Sequence, residues 1–257
     1  MVQELSKNSR DLQRDQQILN ILKENGHTSV HQLCEKLYLS EATVRRSLAT
    51  LAQKGLIHRT HGGAELLINF TQVGSFSSRM ILNASAKHRI AQKAAQLVPD
   101  GSIVFLDQSS TCYHLAQALT KKKALTIVTN NLEIVNVLSQ TPFDVIVSGG
   151  QLSHDDRSYL VGEDSQKIFL SINADFAFFS TRSLSSDGII SDCSRDEINI
   201  RNAILKNARC KVFLCDSSKF HSSSGYILCK LQDVDILISE EDASPVYASA
   251  CPNLKIL

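Results

Sequence analysis

The spacing of apolar positions changes near residue 66, and the change divides the chain. Val30, Leu33, Cys34 and Leu37 fall at i, i+3, i+4 and i+7, which predicts a short helix with one apolar face. Ser29 is placed to cap it, and Gln32, three residues on, to complete a capping box. Tyr38 and Leu39 leave a short connection before Ser40, a favourable N-cap for a second helix. On that helix Val44, Leu48 and Leu51 share a narrow sector. Arg46 falls almost opposite, among the small residues Ala42, Ala49 and Thr50, with Thr43 and Arg45 on its flanks. Gly55 marks a helix stop, Leu56-Ile57-His58-Arg59 alternates like a strand, and Gly62-Gly63 suits a tight turn. An earlier helix, with Ile18, Ile21 and Leu22 as its stripe and Gly26 as its end, is expected to lie under these two; residues 1–12 are polar and aperiodic. This is the order of a winged helix-turn-helix.

From about Leu66 to Ser85 the chain is rich in Ser, Thr and Asn without a steady period, as in a linker. A helix is expected from about Lys87 to Leu97, with Ile90, Ala94 and Leu97 on one face. Beyond it, short apolar runs at 102–106, 125–128, 143–147, 176–179, 212–214 and 236–238 alternate with helical patterns at about 111–119, 132–138, 163–169 and 195–207. Continuous apolar strands separated by helices predict a mostly parallel sheet covered on both faces, an α/β fold. The expected organisation is a winged helix-turn-helix over residues 1–66, a linker over 67–84 and an α/β domain over 85–257.

Charge sharpens the first region. Between Glu41 and Gly63 the cations Arg45, Arg46, Lys54 and Arg59 stand against the single anion Glu41, a local excess of +3. An arginine on a face of small residues can reach phosphates or a guanine edge in a major groove. Candidate DNA contacts are Ser40, Thr43, Arg45, Arg46, Arg59 and His61. The whole chain carries only +1, and residues 1–66 hold nine Lys and Arg against seven Asp and Glu. Double-stranded DNA as a partner is therefore expected from the local patch, not from overall charge.

Composition bounds the remaining classes. A chain with 43% hydrophobic and 21% charged residues is an ordinary soluble globular protein. Its seven cysteines form no C-x-x-C pair and no zinc-like cluster with histidine, so reduced thiols and no metal site are expected. Walker A, G-x-G-x-x-G and G-x-S-x-G motifs are missing from the sequence, so no nucleotide cofactor is expected. The polar N-terminus does not read as a signal peptide, and no apolar run approaches the roughly 18 residues that span a bilayer. A cytoplasmic location without a membrane partner is expected.

In parallel sheets ligands bind beyond the carboxyl ends of the strands. Four such ends carry small polar residues: Asp107-Gln108-Ser109-Ser110-Thr111, Thr129-Asn130-Asn131, Ser148-Gly149-Gly150 and Asp216-Ser217-Ser218-Lys219-Phe220. Hydroxyls at a helix N-terminus suit an anion such as phosphate, glycines admit close backbone approach, and a lysine can balance phosphate charge. Each loop alone is more often a plain helix cap or a solvated lysine; their joint occurrence in one sheet is what points to a ligand.

The residues also carry a family likeness. Arg14, Ile18-Leu19, Gly26, Val30, Leu33, Ser40, Thr43-Val44-Arg45-Arg46, Leu48, Leu51, Gly55, Arg59 and His61-Gly62-Gly63-Ala64 resemble the N-terminal signature of DeoR-type bacterial transcription repressors. Lys87 with Ile90-Ala91 and Ala94-Ala95, Asp100-Gly101, the 107–111 loop, Thr129-Asn130, Gly149-Gly150, Gly162, Asp175 with Ala177-Phe178, Gly188, Glu197 and Asp216–Phe220 resemble that family's effector domain, whose fold is shared with sugar-phosphate isomerases and deaminases. The resemblance implies a repressor of carbohydrate genes whose sugar-phosphate effector lowers its affinity for operator DNA. It also implies an effector pocket lined by Asp107, Ser109, Ser110, Thr111, Thr129, Asn130, Gly149, Gly150, Glu197 and Lys219. Four positions depart from the family pattern. Ser47 stands where an aspartate is usual, which bears on a local polar contact around the recognition helix. Ser109 and Ser110 replace Gly and Thr of Asp-x-Gly-Thr-Thr, and Asn131 replaces a serine. At Ser109 the change removes easy access to positive φ and adds a side chain where phosphate would approach.

The rival class is an active isomerase or deaminase, which needs a carboxylate base beside a second acid. Isomerases carry a cluster resembling Asp-Gly-Ala-Asp where this chain has Asn173-Ala174-Asp175, and only Asp175 survives. Glu197 remains as a candidate base, although binding a sugar hydroxyl is the simpler role. A regulator without catalysis is expected, assembled as a dimer or tetramer because helix-turn-helix proteins commonly read paired half-sites. A scaffold whose second domain only oligomerises would need neither Lys219 nor Thr129-Asn130.

Overall fold

The computed structural model describes residues 14–22, 25, 27–53, 56–66, 75–248 and 251–257. The chain divides into two compact units, residues 1–84 and 85–257. In the first, residues 14–22 are helical (α1), followed by β1 (Thr28–Ser29), α2 (Val30–Leu37), α3 (Glu41–Gln53), β2 (Ile57–Thr60), β3 (Gly63–Leu66) and α4 (Phe76–Ile81).

The capping box at α2 forms as its sequence predicts. Ser29 Oγ accepts from the Gln32 N–H at 3.2 Å, and Gln32 Oε1 accepts from the Ser29 N–H at 2.9 Å. The helix ends at Tyr38, whose left-handed backbone (φ 55°) brings its own N–H and that of Leu39 to the Cys34 carbonyl. Ser40 caps α3 through the Thr43 N–H at 3.3 Å. Val44, Leu48 and Leu51 are fully buried with Ile18, Leu22, Val30, Leu33, Ile57 and Ala64 in one core, while Ala42, Arg45, Arg46 and Ala49 are exposed. Buried Ser47 accepts from Arg14 Nε at 2.6 Å, so serine supplies a polar contact at the position where the family carries aspartate.

The wing is three-stranded, in the antiparallel order β1-β3-β2. Only one of these strands was legible as alternation, because β1 has two residues and β3 opens on glycine. A Cβ at Gly63 would lie 2.5 Å from the Thr28 carbonyl oxygen, so only glycine lets the third strand approach. Part of the expected linker is a helix: Ser75 Oγ accepts from the Ser78 N–H to cap α4, and Ile81 joins the core of this unit. Gly26, Lys54, Gly55 and residues 1–12 lie outside the described residues.

The second unit holds α5 (Ala84–Leu97), β4 (Ile103–Leu106), α6 (Ser110–Leu119), β5 (Thr126–Thr129), α7 (Leu132–Leu138), β6 (Asp144–Val147), β7 (Gln151–Leu152), β8 (Leu160–Val161) and α8 (Glu163–Ser171). It continues through β9 (Ala174–Phe179), β10 (Ser183–Leu184), β11 (Ile189–Asp192), α9 (Arg195–Lys206), β12 (Ala208–Leu214), β13 (Tyr226–Lys230), β14 (Ile236–Ile238), α10 (Ser244–Tyr247) and β15 (Lys255–Ile256). All six apolar runs become strands of one sheet, and β15 adds a seventh. The order is β15-β14-β12-β9-β4-β5-β6 and every pairing is parallel.

Successive side chains point to opposite faces, so both faces are apolar. Val104, Leu106 and Ile127 pack with Ile90, Leu115 and Ile134 on one side. Phe105, Val128 and Phe213 pack with Phe169, Ile200 and Ile204 on the other. An antiparallel sheet β10-β11-β13 and the hairpin β7-β8 complete the unit. Because the main strands are parallel, all their carboxyl ends open on one rim.

Candidate DNA-contact face and effector site

In the first unit the six candidate DNA contacts divide by what they already hold. Arg45 donates from Nε and Nη2 to Glu41 Oε1, one turn earlier, at 2.8 and 2.5 Å. Ser40 and Thr43 hydroxyls bond each other at 2.8 Å within the helix cap. Arg46 on α3, Arg59 on β2 and His61 in the turn are exposed, and no hydrogen bond or ion pair engages their side chains among the described residues. Around them His27 Nε2 meets Thr60 Oγ1 at 2.7 Å and His58 pairs with Glu65 at 3.3 Å. The face thus presents two uncommitted guanidinium groups, while Ser40 serves mainly to start the helix.

In the second unit the four polar loops lie at the sheet rim, and hydrogen bonds tie the first three to one another. Asn130 Nδ2 donates to Gln108 Oε1 at 3.3 Å and to the Leu160 carbonyl at 2.8 Å; Asn131 Nδ2 donates to the Gln108 carbonyl at 3.0 Å. The Ser148 N–H donates to the Thr129 carbonyl at 3.0 Å. Gly150, at φ 98°, sits so close to β8 that a Cβ would lie 2.6 Å from the Val161 carbonyl oxygen, whereas Gly149, at φ 68°, faces open space. Lys219 Nζ donates to Ser180 Oγ at 2.7 Å and lies 3.3 Å from Asp216 Oδ2.

Ser109 carries no strain from replacing glycine. Its φ is −72°, and its hydroxyl caps α6 by accepting from the Cys112 N–H at 3.1 Å. Asn131 likewise caps α7, accepting from the Glu133 and Ile134 N–H groups. Ser110 and Thr129 are buried beside them, and Thr129 Oγ1 accepts from the Asn131 N–H at 3.1 Å. Thr111 Oγ1 and Asn130 Oδ1 are buried without a hydrogen-bond partner among the described residues.

Asp107 and Glu197 belong to a network that sequence reasoning missed, centred on Arg201. This guanidinium, 1% exposed, pairs with Asp107 and Glu197 at 2.8 Å each and with Asp192 at 3.0 Å. Burial pulls its pKa down, but Asp192, Asp107 and Glu197 outweigh that and hold it above the ordinary arginine value. Asp107 also accepts from the N–H groups of Ser109 and Ser180 at 2.9 and 3.1 Å. Glu197 accepts from Tyr159 Oη at 2.8 Å and Gln108 Nε2 at 3.0 Å. Both carboxylates expected as effector ligands are therefore engaged by Arg201. The signal for Arg201 was its i, i+4 spacing from Glu197 on one helix; Tyr159, Gln108 and Ser180 gave none.

Asp216 is a second buried anion. Burial raises its pKa, but Lys219 and then Lys87 overcome that and bring it to about 2. Asp175, the acid kept from the isomerase pattern, lies at the amino end of β9. It accepts from the Ile103 N–H at 2.9 Å and faces Arg209 at 3.6 Å, at the opposite end of the sheet from the rim. Among the described residues no group of three or more His, Cys, Asp or Glu side chains is arranged to hold a metal ion. None of the described helices is long and apolar enough to cross a membrane.

Comparison with known proteins agrees with this division. Residues 14–69 match the model of the DeoR-like helix-turn-helix domain, and residues 82–241 that of the DeoR C terminal sensor domain. The chain is 32% identical to the glycerol-3-phosphate regulon repressor of Escherichia coli over 92% of each protein. It is 33% identical to the L-fucose operon activator of Haemophilus influenzae over 95% of this chain and 98% of that one. In structure it is similar to ribose 5-phosphate isomerase A of Methanocaldococcus jannaschii over 54% of this chain and 55% of the other, with 17% identity and a TM-score of 0.39. A winged helix-turn-helix whose arginines face outward, followed by a parallel-sheet sensor domain with its polar loops on one rim, makes this chain a member of the DeoR family of transcription regulators.

Proposed function

We propose that the chain represses carbohydrate-metabolism genes in the cytoplasm as an even homo-oligomer, and that a phosphorylated sugar or related metabolite controls its operator affinity. The effector occupies the rim of the parallel sheet. Thr111, Thr129, Asn130 and the Gly149-Gly150 backbone meet its hydroxyls, while Lys219 and the N-terminus of α6 meet its phosphate. Ser109 and Ser110 shape that N-terminus, and Asp107 and Glu197 hold the loops in place. Arg46 and Arg59 contact the operator, with Arg45, Thr43, Ser40 and His61 beside them.

The observation that carries the sensor reading is the pair of orphaned polar atoms, Thr111 Oγ1 and Asn130 Oδ1, buried where two loops meet. Buried polar groups are almost always paired, and each one left unpaired costs free energy. Hydroxyls of a ligand complete both. The relative named a glycerol-3-phosphate regulon repressor supports a small phosphorylated polyol as the class.

Binding without turnover is favoured by the carboxylates. Asp175 stands at the far end of the sheet, and Asp107 and Glu197 are occupied by Arg201, so none of these three carboxylates is free to act as a general base on the rim. The test is thermal unfolding against a panel of sugar and polyol phosphates, with product analysis and DNA-binding titration on the same samples. At about 100 times its dissociation constant an effector stabilises the folded state by about 2.7 kcal/mol and weakens DNA binding. Conversion of a panel member would establish the isomerase-like enzyme instead. A panel without any stabilisation would leave the second unit as an assembly scaffold.

A further inference from the structure

The turn between α2 and α3 carries a side chain that the fold of its unit does not use. Tyr38 is 95% exposed, the most exposed of the large apolar and aromatic side chains among the described residues. Its backbone is left-handed, at φ 55°. That conformation closes α2, since the Tyr38 and Leu39 N–H groups both reach the Cys34 carbonyl, but a side chain is not needed for it. Glycine adopts it freely, and an L residue gives up stability there. Burial returns none of that cost, and no hydrogen bond or ring contact engages the phenol among the described residues. A strained residue that its own domain leaves unpacked points to a contact outside the domain.

The position says what that contact is. Tyr38 lies two residues before Ser40, the cap of α3, beside the end from which Thr43, Arg45 and Arg46 project. In a helix-turn-helix the first helix crosses the phosphate backbone, and the first residues of the second reach base edges. The turn between them therefore lies over the phosphates that border the groove. Tyrosine hydroxyls are among the groups that donate to phosphate oxygens and set the register of a protein on the duplex. We propose that Tyr38 is a DNA-backbone contact, its phenol O–H donating to a phosphate oxygen beside the base pairs that α3 reads. The proposal rests on the assignment of α3 as the groove helix. It gives Tyr38 a role in affinity for any sequence, distinct from the sequence reading assigned to Arg46.

The test uses the full chain and a labelled duplex carrying the site that the wild-type protein selects from a random-sequence library, with an unselected duplex alongside. Wild type, Tyr38→Gly, Tyr38→Phe and Arg46→Ala are titrated at several salt concentrations, and their thermal unfolding is recorded. Tyr38→Gly unfolds no earlier than wild type, because strain is relieved, yet binds both duplexes about tenfold more weakly, the loss expected for one hydrogen bond to a charged group. Tyr38→Phe reproduces most of that loss. The salt dependence is unchanged in both, since a neutral phenol releases no counterion, whereas Arg46→Ala weakens the selected duplex more than the unselected one. Wild-type affinity in Tyr38→Gly or in Tyr38→Phe, or weakened binding that tracks a lowered unfolding temperature, overturns the proposal. If Arg46→Ala weakens binding while the Tyr38 variants do not, only the Tyr38 contact fails; if none of the three does, the groove assignment of α3 fails with it.

Discussion

Arg46 and Arg201 are the same side chain put to opposite uses. Arg46 stands exposed on α3 without a partner among the described residues, while Arg201 is 1% exposed on α9 and held by three carboxylates within 3.0 Å. An uncommitted surface guanidinium contributes little to folding and is free for phosphate or a base edge. A buried one carries a large desolvation cost that only its counterions offset. The contrast extends to the units. The first turns Arg46 and Arg59 outward around a small apolar core. The second consumes its buried charges internally and leaves neutral polar atoms, Thr111 Oγ1 and Asn130 Oδ1, unpaired at the rim.

Four substitutions or conditions break or sharpen this comparison. Arg201→Met leaves Asp107, Asp192 and Glu197 buried without their cation, and a destabilisation of about 3–5 kcal/mol is expected in urea unfolding; a change below about 1 kcal/mol would remove the frame role from the network. Lys219→Ala is expected to abolish stabilisation by effector, a loss of about 2.7 kcal/mol at saturating ligand, while operator binding measured by fluorescence anisotropy persists. Loss of operator binding together with the effector response would mean that Lys219 maintains the fold and not the sensor.

Acid titration probes the second buried pair. Asp216 has a folded pKa depressed to about 2 by Lys219 and Lys87 against the opposing effect of burial. A depressed carboxyl stabilises the fold above its unfolded pKa, near 3.9, and that contribution disappears as pH falls through the folded value. Stability of about 2 kcal/mol should therefore be present above pH ~4 and fade between pH ~4 and ~2. In Asp216→Asn this component is missing, so the difference in unfolding free energy between the two proteins should shrink across that window. The smallest effect belongs to the surface: Arg46→Ala is expected to weaken operator binding about tenfold, close to 1.4 kcal/mol, without moving the unfolding midpoint. Retained operator affinity at physiological salt would displace α3 from the groove.

Much of the fold was legible because it rests on local chemistry. The Ser29/Gln32 capping box, the buried sector of Val44, Leu48 and Leu51, and six strands of the main sheet each follow from spacing within a short window. Among the elements that escaped, β1, β7, β8 and β10 have two residues each, too few for a period, α4 lies in a stretch of mixed composition, and β11 and β13 belong to the small antiparallel sheet, which the alternation of strands and helices did not announce. Ser109 shows the converse. A glycine-to-serine change read as strain proves to be an unstrained helix cap, because the backbone there is extended.

The candidate site divides along the same line. Residue types and their places at strand ends were written in the sequence, since parallel β/α order puts every such loop on one rim. Which groups are spent and which remain available was decided only by tertiary structure. Asp107, Asp192, Glu197 and Arg201 span residues 107 to 201 of the chain and meet in one buried cluster, and Gln108 joins Asn130 to Glu197. Apart from the i, i+4 pair Glu197–Arg201, no local pattern predicts such pairings, because the free energy of a buried charge depends on partners brought from far along the chain. The sequence by itself determined the helix-turn-helix, the parallel sheet and the polar rim; the packing of α9 decided that two of the expected ligand groups, Asp107 and Glu197, are paired with Arg201.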